Sequence, residues 1–517
     1  MNAERVVAEL ENAVSTHDHA TVAERVERHW PYVVRIRPSL LDTAIARLPQ
    51  EHTRPTHHLV RDLLHPDSWR APAVQDRLVA ETLQAMPVPA ADAELVASTG
   101  AAVLHALRRR GRFADALELG TELVVPASTL QGTDLSSLAA GLYLQVGNLH
   151  LLQGDLRHAE RWLETAFRQP SAFTNHAADA AGRLALLCAL RGETARAEGW
   201  LERAAAADAG ASPWPLRAAE RVPQLCARAL LALDRLDWSA YHEHDDRIDA
   251  ERIEQDEQWM YVLHHRALAS VLRGNQRAVA EEIADYRGSH PQYLLEPSLP
   301  SGLLESAEAA LMVSLGQLPE VRERLTAWGG DRVHLAASTH LLLACGRADE
   351  AAALSDPLRW PPRTTRREQI LLLLAQCGAR HHLGQVGAAA AALRRAVNLT
   401  GHRGLAWLYA FACVDRPILT DLVRKVPEAA PIVVRLEELA PTDPTSQPAE
   451  LQLTPREMLV LQQLARGLNI QQISEQLYVS PSTVKNQRKS IYRKLGASSR
   501  DEALAAAARR GLLVQTV

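Results

Sequence analysis

Along almost the whole chain, apolar residues recur at the three-and-four spacing of an α-helix, while the strict alternation of a half-buried strand is scarce. Ala and Leu carry the pattern, and aromatic residues make up only 4%. Proline clusters at 87–92 (PVPAAD), 211–215 (ASPWP) and 296–302 (EPSLPSG) interrupt it and read as connections between helices. The pattern predicts an all-α protein.

The helices also repeat. A glycine closes one apolar helix and opens the next at Gly111, Gly154, Gly192, Gly274, Gly316, Gly346 and Gly384. Arg235, in ALDRLDWSA, takes the same place where no glycine stands, and successive turns are then 30 to 43 residues apart. Five of the seven glycine turns carry Ala five residues on: Ala116, Ala159, Ala197, Ala351 and Ala389. Glycine supplies the left-handed residue that ends one helix and lets a second fold back on it, and a small Ala lets the two approach closely. Such a pair cannot bury its apolar face alone, so neighbouring pairs stack. NLHLLQGDLRHAERWLETAF, residues 148–167, is the clearest unit and resembles a tetratricopeptide repeat. That resemblance implies a helical-repeat solenoid.

Four segments follow: a helical region at 1–95, the tetratricopeptide-like array at 96–440, a linker at 441–450 (PTDPTSQPAE), and a C-terminal block at 451–517. The net charge of −4 conceals a strong asymmetry, because residues 451–517 hold ten Lys/Arg against four Asp/Glu. Three of the chain's four lysines (Lys485, Lys489, Lys494) fall within ten residues there. A small basic block on an acidic body predicts a local nucleic-acid contact.

Start signals divide that block into four helices. Thr454 to Glu457 (TPRE) is a capping box with Pro at the first helical position, opening a helix over about 455–466. Asn469 with Gln472 caps a second, about 470–477, and Ser480-Pro481 opens a third, about 481–495. Ser499 with Glu502 opens a fourth over about 500–510. The second and third, joined by a short turn, predict a helix-turn-helix. At helical spacing Val484, Ile491 and Leu495 fall within an arc of ~40° and form the buried seam of the third helix. Ser482, Asn486, Lys489 and Arg493 lie opposite, with Lys485 flanking them. A narrow apolar seam backed by a Lys/Asn/Arg face suits a DNA major groove, where Asn pairs with an adenine edge and Lys with guanine or phosphate.

LTPREMLVLQQLARGLNIQQISEQLYVSPSTVKNQRKSIYRKLGASSRDEA resembles the LuxR-type (GerE-like) DNA-binding domain over about 65 residues without a gap. The resemblance implies that Lys485, Asn486 and Lys489 meet bases or lie near them, and that Ser482, Thr483, Arg488 and Arg493 contact phosphates. It further implies a dimer contact on the fourth helix around Ala503, Leu504 and Ala507. Gln487 departs from the family's usual His. The whole chain resembles a MalT-like large regulator without its ATPase, since no G-x-x-x-x-G-K-S/T phosphate loop occurs.

Other chemistry finds little support. The five cysteines show no paired metal-ligand spacing, which excludes a zinc finger and a disulfide-stapled secreted scaffold. His242 to Asp246 (HEHDD) reads as a solvated segment between helices, and His57-His58 and His381-His382 read as surface residues. No catalytic constellation, cofactor loop or metal site is expected. The ten tryptophans are either fillers between repeats or the lining of a groove. The start MNAERVVAELENAV has no signal-peptide pattern and no apolar run reaches a membrane span, so a cytoplasmic protein is expected.

These features predict a bacterial transcription regulator, not an enzyme. It would bind operator DNA as a homodimer and take a peptide, protein or small-molecule effector on the array. A tetratricopeptide-like interaction scaffold with secondary DNA binding is the alternative. The array could control the DNA-binding helix by covering it or by dimerising the chain, and the small dimer contact of such domains favours the second.

Overall fold

The computed structural model describes residues 3–509 except 66–69, 88–90, 131–135, 170–173, 210–217, 251–256, 329–333, 363, 401–417, 419–421, 439–454, 478, 496 and 498. The linker 441–450 therefore lies outside the described residues, as do Cys413 and Thr454. Among the described residues the regular structure is helical throughout, as the apolar spacing predicts. No helix among them is long and apolar enough to cross a membrane.

Five helices come first: α1 (Ala3–Ser15), α2 (His19–Ile36), α3 (Pro38–Ala46), α4 (Pro55–Leu64) and α5 (Pro72–Ala85). The array follows as helix pairs: α6 (Ala93–Arg109) with α7 (Phe113–Ser128), α8 (Ser136–Leu152) with α9 (Leu156–Arg168), and α10 (Thr174–Arg191) with α11 (Thr194–Ala209). Next are α12 (Ala218–Arg235) with α13 (Trp238–Ala250), α14 (Trp259–Arg273) with α15 (Gln276–Ser289), and α16 (Leu299–Ser314) with α17 (Leu318–Trp328). The last two pairs are α18 (Leu335–Ala344) with α19 (Ala348–Leu354), and α20 (Arg366–His382) with α21 (Val386–Thr400).

The glycine turns have the physical origin that the repeat implies. Gly111, Gly154, Gly192, Gly274, Gly316, Gly346 and Gly384 all have φ between +71° and +91°, a region costly for a residue with a Cβ. Ala116, Ala159, Ala197, Ala351 and Ala389 are completely buried. The non-glycine turn needs one correction. Leu236, not Arg235, carries the positive φ (+58°), so the fifth position on is the buried Tyr241 rather than Ala240.

The chain forms two compact units. The first comprises residues 1–228, 251–260 and 290–301. In it α6 packs on α7, α7 on α8, α8 on α9 and α9 on α10. Its interior holds a chain of buried polar groups. Arg183 Nε donates to Asp179 (2.8 Å) and its Nη1 to Asn148 Oδ1 (2.5 Å). Asn148 Nδ2 donates to Glu257 (3.2 Å), and Arg108 Nε lies 3.3 Å from the same carboxylate. Two cations and two anions thus balance out of water, which keeps their desolvation from being uncompensated.

The second unit comprises residues 229–250, 261–289 and 302–517. Within it Arg266 binds both Asp245 (2.7 Å) and Glu282 (2.9 Å), and Arg367 binds Asp234 (2.9 Å). Two readings of polar runs change here. Asp245 is buried in α13 against Arg266, not solvated between helices. In the first unit, His57 is also completely buried: its Nδ1 accepts from the Arg54 N–H (3.1 Å) and its Nε2 donates to the Ala23 carbonyl (3.0 Å). Ala23 lies 34 positions from His57 and Arg266 lies 21 from Asp245, beyond the range over which local polarity carries a signal. Trp200, Trp259 and Trp328 are buried, as fillers should be, and Trp162 stacks on Tyr143 with centroids 5.6 Å apart.

Candidate nucleic-acid interface

The C-terminal helices run over Pro455–Ala465, Ile470–Leu477, Pro481–Leu495 and Arg500–Arg509. Local chemistry sets their ends. Gly467, at φ +90°, closes the first, its N–H donating to the Leu464 carbonyl (3.0 Å). Asn469 and Gln472 cap the second reciprocally, each side-chain oxygen accepting the other's backbone N–H at 2.9 Å. Ser480 Oγ accepts from the Thr483 N–H (3.1 Å) at the start of the third, and Ser499 Oγ from the Glu502 N–H (3.2 Å) at the start of the fourth.

The third helix is oriented by burial. Val484, Ile491 and Leu495 are buried in a core that also takes Val460 and Leu464 from the first helix and Ile473 from the second. Glu457 enters that core too, where its Oε1 accepts from Ser490 Oγ at 2.7 Å. The capping pattern assigns Glu457 only a helix-start role, and the donor of this bond lies 33 residues away, out of reach of any local pattern.

The seam determines what the opposite face presents. Ser482 and Lys485 are exposed, and Thr483, Asn486, Arg488 and Lys489 are half-buried. Ser480 Oγ lies 2.8 Å from Ser482 Oγ and 2.7 Å from Thr483 Oγ1, so three hydroxyls cluster at the helix start, where the helix dipole favours an anion. Arg488 extends along the helix with its guanidinium carbon 5.8 Å from the Tyr492 ring centre. The Arg493 side chain lies outside the described residues. Gln487 is half-buried at the edge of the seam.

Lys489 has a second partner, which the sequence did not reveal. The third helix lies against α15, and Lys489 Nζ sits 4.4 Å from the ring centre of Tyr286, a cation–π distance. On the fourth helix, Ala503 and Ala507 face inward and are part of the domain's own core, with Leu504 half-buried beside them.

This arrangement is a helix-turn-helix: two helices joined by a tight turn, the second held by its apolar seam with a cationic and amide face outward. Residues 451–507 match the family described as bacterial regulatory proteins, luxR family, and form its helix-turn-helix domain at the C-terminal end of the chain. Among curated proteins, the chain is 44% identical over 82 residues to Transcriptional regulatory protein YdfI of Bacillus subtilis, which is 16% of this chain and 38% of that relative. It is 48% identical over 61 residues to Probable transcriptional regulatory protein NarL of Mycobacterium tuberculosis, covering 12% and 28% of the two chains. To Transcriptional regulatory protein ComA of Bacillus subtilis it is 39% identical over 70 residues, covering 14% and 33%. The chain therefore spans about a third of the length of the relatives it matches.

Proposed function

We propose that this protein is a cytoplasmic bacterial transcription regulator that binds operator DNA through helix Pro481–Leu495 and is controlled by its helical array. The observation that carries the reading is the division of that helix. A seam of Val484, Ile491 and Leu495 is buried, which leaves Lys485, Asn486 and Lys489 to face a major groove, with Ser482, Thr483 and Arg488 toward the phosphates. Arg493 belongs to the phosphate set by resemblance. The domain's luxR-family membership and the relatives' names as transcriptional regulators support the same reading.

Control by occlusion is favoured over control by assembly, because DNA and the array compete for one cation. Lys489 cannot rest on Tyr286 and enter a groove at once. A peptide, protein or small-molecule effector that moves α15 would free it. Dimerisation on DNA then uses the exposed face of the fourth helix beside Leu504 rather than Ala503 and Ala507.

The test is a titration of one operator fragment with the full chain, with residues 451–517 alone, and with full-length Tyr286→Leu and Tyr286→Phe. A cation–π contact of ~0.5–2 kcal/mol corresponds to a gain of roughly two- to thirtyfold in affinity when the ring is lost. The fragment and Tyr286→Leu should bind more tightly than the full chain, and Tyr286→Phe should match it. Tighter binding by the full chain would establish assembly instead, and no binding to any promoter fragment would leave the scaffold reading.

A further inference from the structure

The turn joining α8 to α9 brings two imidazoles and a carboxylate together through the backbone itself. Gly154 (φ +75°) donates its N–H to the Leu151 carbonyl (3.1 Å), and the Asp155 N–H donates to the His150 carbonyl (2.9 Å). These are the paired bonds of a Schellman cap, which place His150, in the last turn of α8, next to Asp155 just past it. Asp155 is also the N-cap of α9: its Oδ1 accepts from the His158 N–H (3.3 Å). Three side chains from two helices are thereby held on one short turn without any long-range constraint.

Their ligand atoms converge. One ring nitrogen from each histidine and one Asp155 oxygen lie within 4.8 Å of one another. The two rings stack with centroids 5.2 Å apart and planes 27° from parallel. Asp155 Oδ2 accepts from His158 Nδ1 at 2.6 Å. His150 Nδ1 is out of contact with solvent and has no hydrogen-bond partner among the described residues, an unmet polar atom that a ligand would satisfy.

The sibling turns provide an internal comparison. Five of the other glycine turns close with the same backbone bond, and the place of His150 is taken there by Leu107, Cys188, Met312, Leu342 or Arg380. Four of these five are the apolar residue that usually closes a helix end against the next segment. At the α8–α9 turn an imidazole stands in that position, facing a carboxylate and a second imidazole.

We propose that His150, Asp155 and His158 form a binding site for one divalent transition-metal ion, of the zinc, nickel or copper class, with its remaining coordination position open to solvent. Two imidazoles and a single carboxylate suit these borderline ions and not calcium or magnesium, which require mostly oxygen. Metal–ligand bonds of ~2.0–2.2 Å hold ligand atoms ~3–3.5 Å apart, so closure needs only side-chain rotations. All three side chains are half-buried and reachable from solvent. The ion displaces the hydrogen between Asp155 Oδ2 and His158 Nδ1, and that imidazole carries its proton on Nε2 instead. The bound ion staples the end of α8 to the start of α9.

The experiment is zinc titration of the full chain by calorimetry, alongside His150→Ala, His158→Ala, the double variant and Asp155→Asn. One ion per chain should bind to the unaltered protein, this site should vanish in the double variant, and Asp155→Asn should weaken it by roughly ten- to a hundredfold. Cobalt in place of zinc should give visible absorption of a low-coordinate nitrogen–oxygen site. A second measurement needs no variant: zinc should shield His150 and His158 from diethyl pyrocarbonate, read by mass spectrometry, while His242 modifies at an unchanged rate. Equal zinc stoichiometry and affinity in the double variant, or unchanged modification of His150 and His158 with zinc present, would overturn the proposal.

Discussion

Ser490 donates its hydroxyl to the Glu457 carboxylate across 2.7 Å of buried interior, tying the DNA-facing helix to the first helix of its domain. This bond holds the rotation of the third helix about its axis. Ser490→Ala leaves a buried carboxylate short of a donor, at a cost of about 1–3 kcal/mol. The expected result is a lower unfolding midpoint of the C-terminal domain by calorimetry. Ser482→Ala, at an exposed position, should leave the midpoint unchanged and weaken DNA binding.

Within the outward face, base and phosphate contacts should separate. Asn486→Ala and Lys485→Ala should each cost ~1–3 kcal/mol at the specific operator and relax sequence preference. Arg488→Ala should weaken specific and non-specific DNA alike and flatten the log–log salt dependence by about one unit. Titrations at several salt concentrations on operator and scrambled duplexes check this. A loss confined to the operator for Arg488→Ala would move it to a base edge.

Two glycines with nearly the same backbone conformation should respond very differently. Gly111 (φ +71°) and Gly384 (φ +72°) both oppose a side chain by strain alone, ~1–2 kcal/mol for Ala. A Cβ at Gly384 would meet nothing within 4 Å, whereas one at Gly111 would lie 1.9 Å from the Gln292 carbonyl oxygen. Gly384→Ala should therefore lower stability modestly, and Gly111→Ala by several times as much, in matched denaturant titrations.

Acid should destabilise the protein before its carboxylates titrate. Burial pushes the His264 imidazole down to about 4, despite its Nδ1 hydrogen bond to the Leu303 carbonyl (3.0 Å), with the Arg367 charge adding to the shift. Burial likewise holds His57 below its usual value. An unfolded histidine titrates near about 6.5. Between that pH and about 4 the unfolded chain takes up a proton that folded His264 does not, so stability is complete above about 6.5 and falls as pH drops through this window. Unfolding followed from pH 7.5 to 4 should show that slope, and His264→Gln should flatten it.

How much of this was legible beforehand depended on the range of the interaction. The glycine turns, the Asn469–Gln472 and Ser480 caps, and the buried seam of Val484, Ile491 and Leu495 follow from contacts within a turn or two of helix, where spacing is a direct record of geometry. The H-x-x-x-x-D-x-x-H of residues 150–158 was equally local yet carried no signal, because convergence there depends on a left-handed glycine reversing the chain between the ligands.

By itself, then, the sequence determined the helices, where they reverse, and which face of the third C-terminal helix turns inward, since helical periodicity and caps act over about five residues. Tertiary structure alone decided the partners of the polar groups. It buried His57 against Ala23, Asp245 against Arg266 and Glu457 against Ser490, turned Ala503 and Ala507 into the core, and set Lys489 on Tyr286. The reason is energetic: a buried polar group must find a partner wherever packing offers one, and for these residues that partner lies tens to hundreds of positions away, where no local pattern reaches.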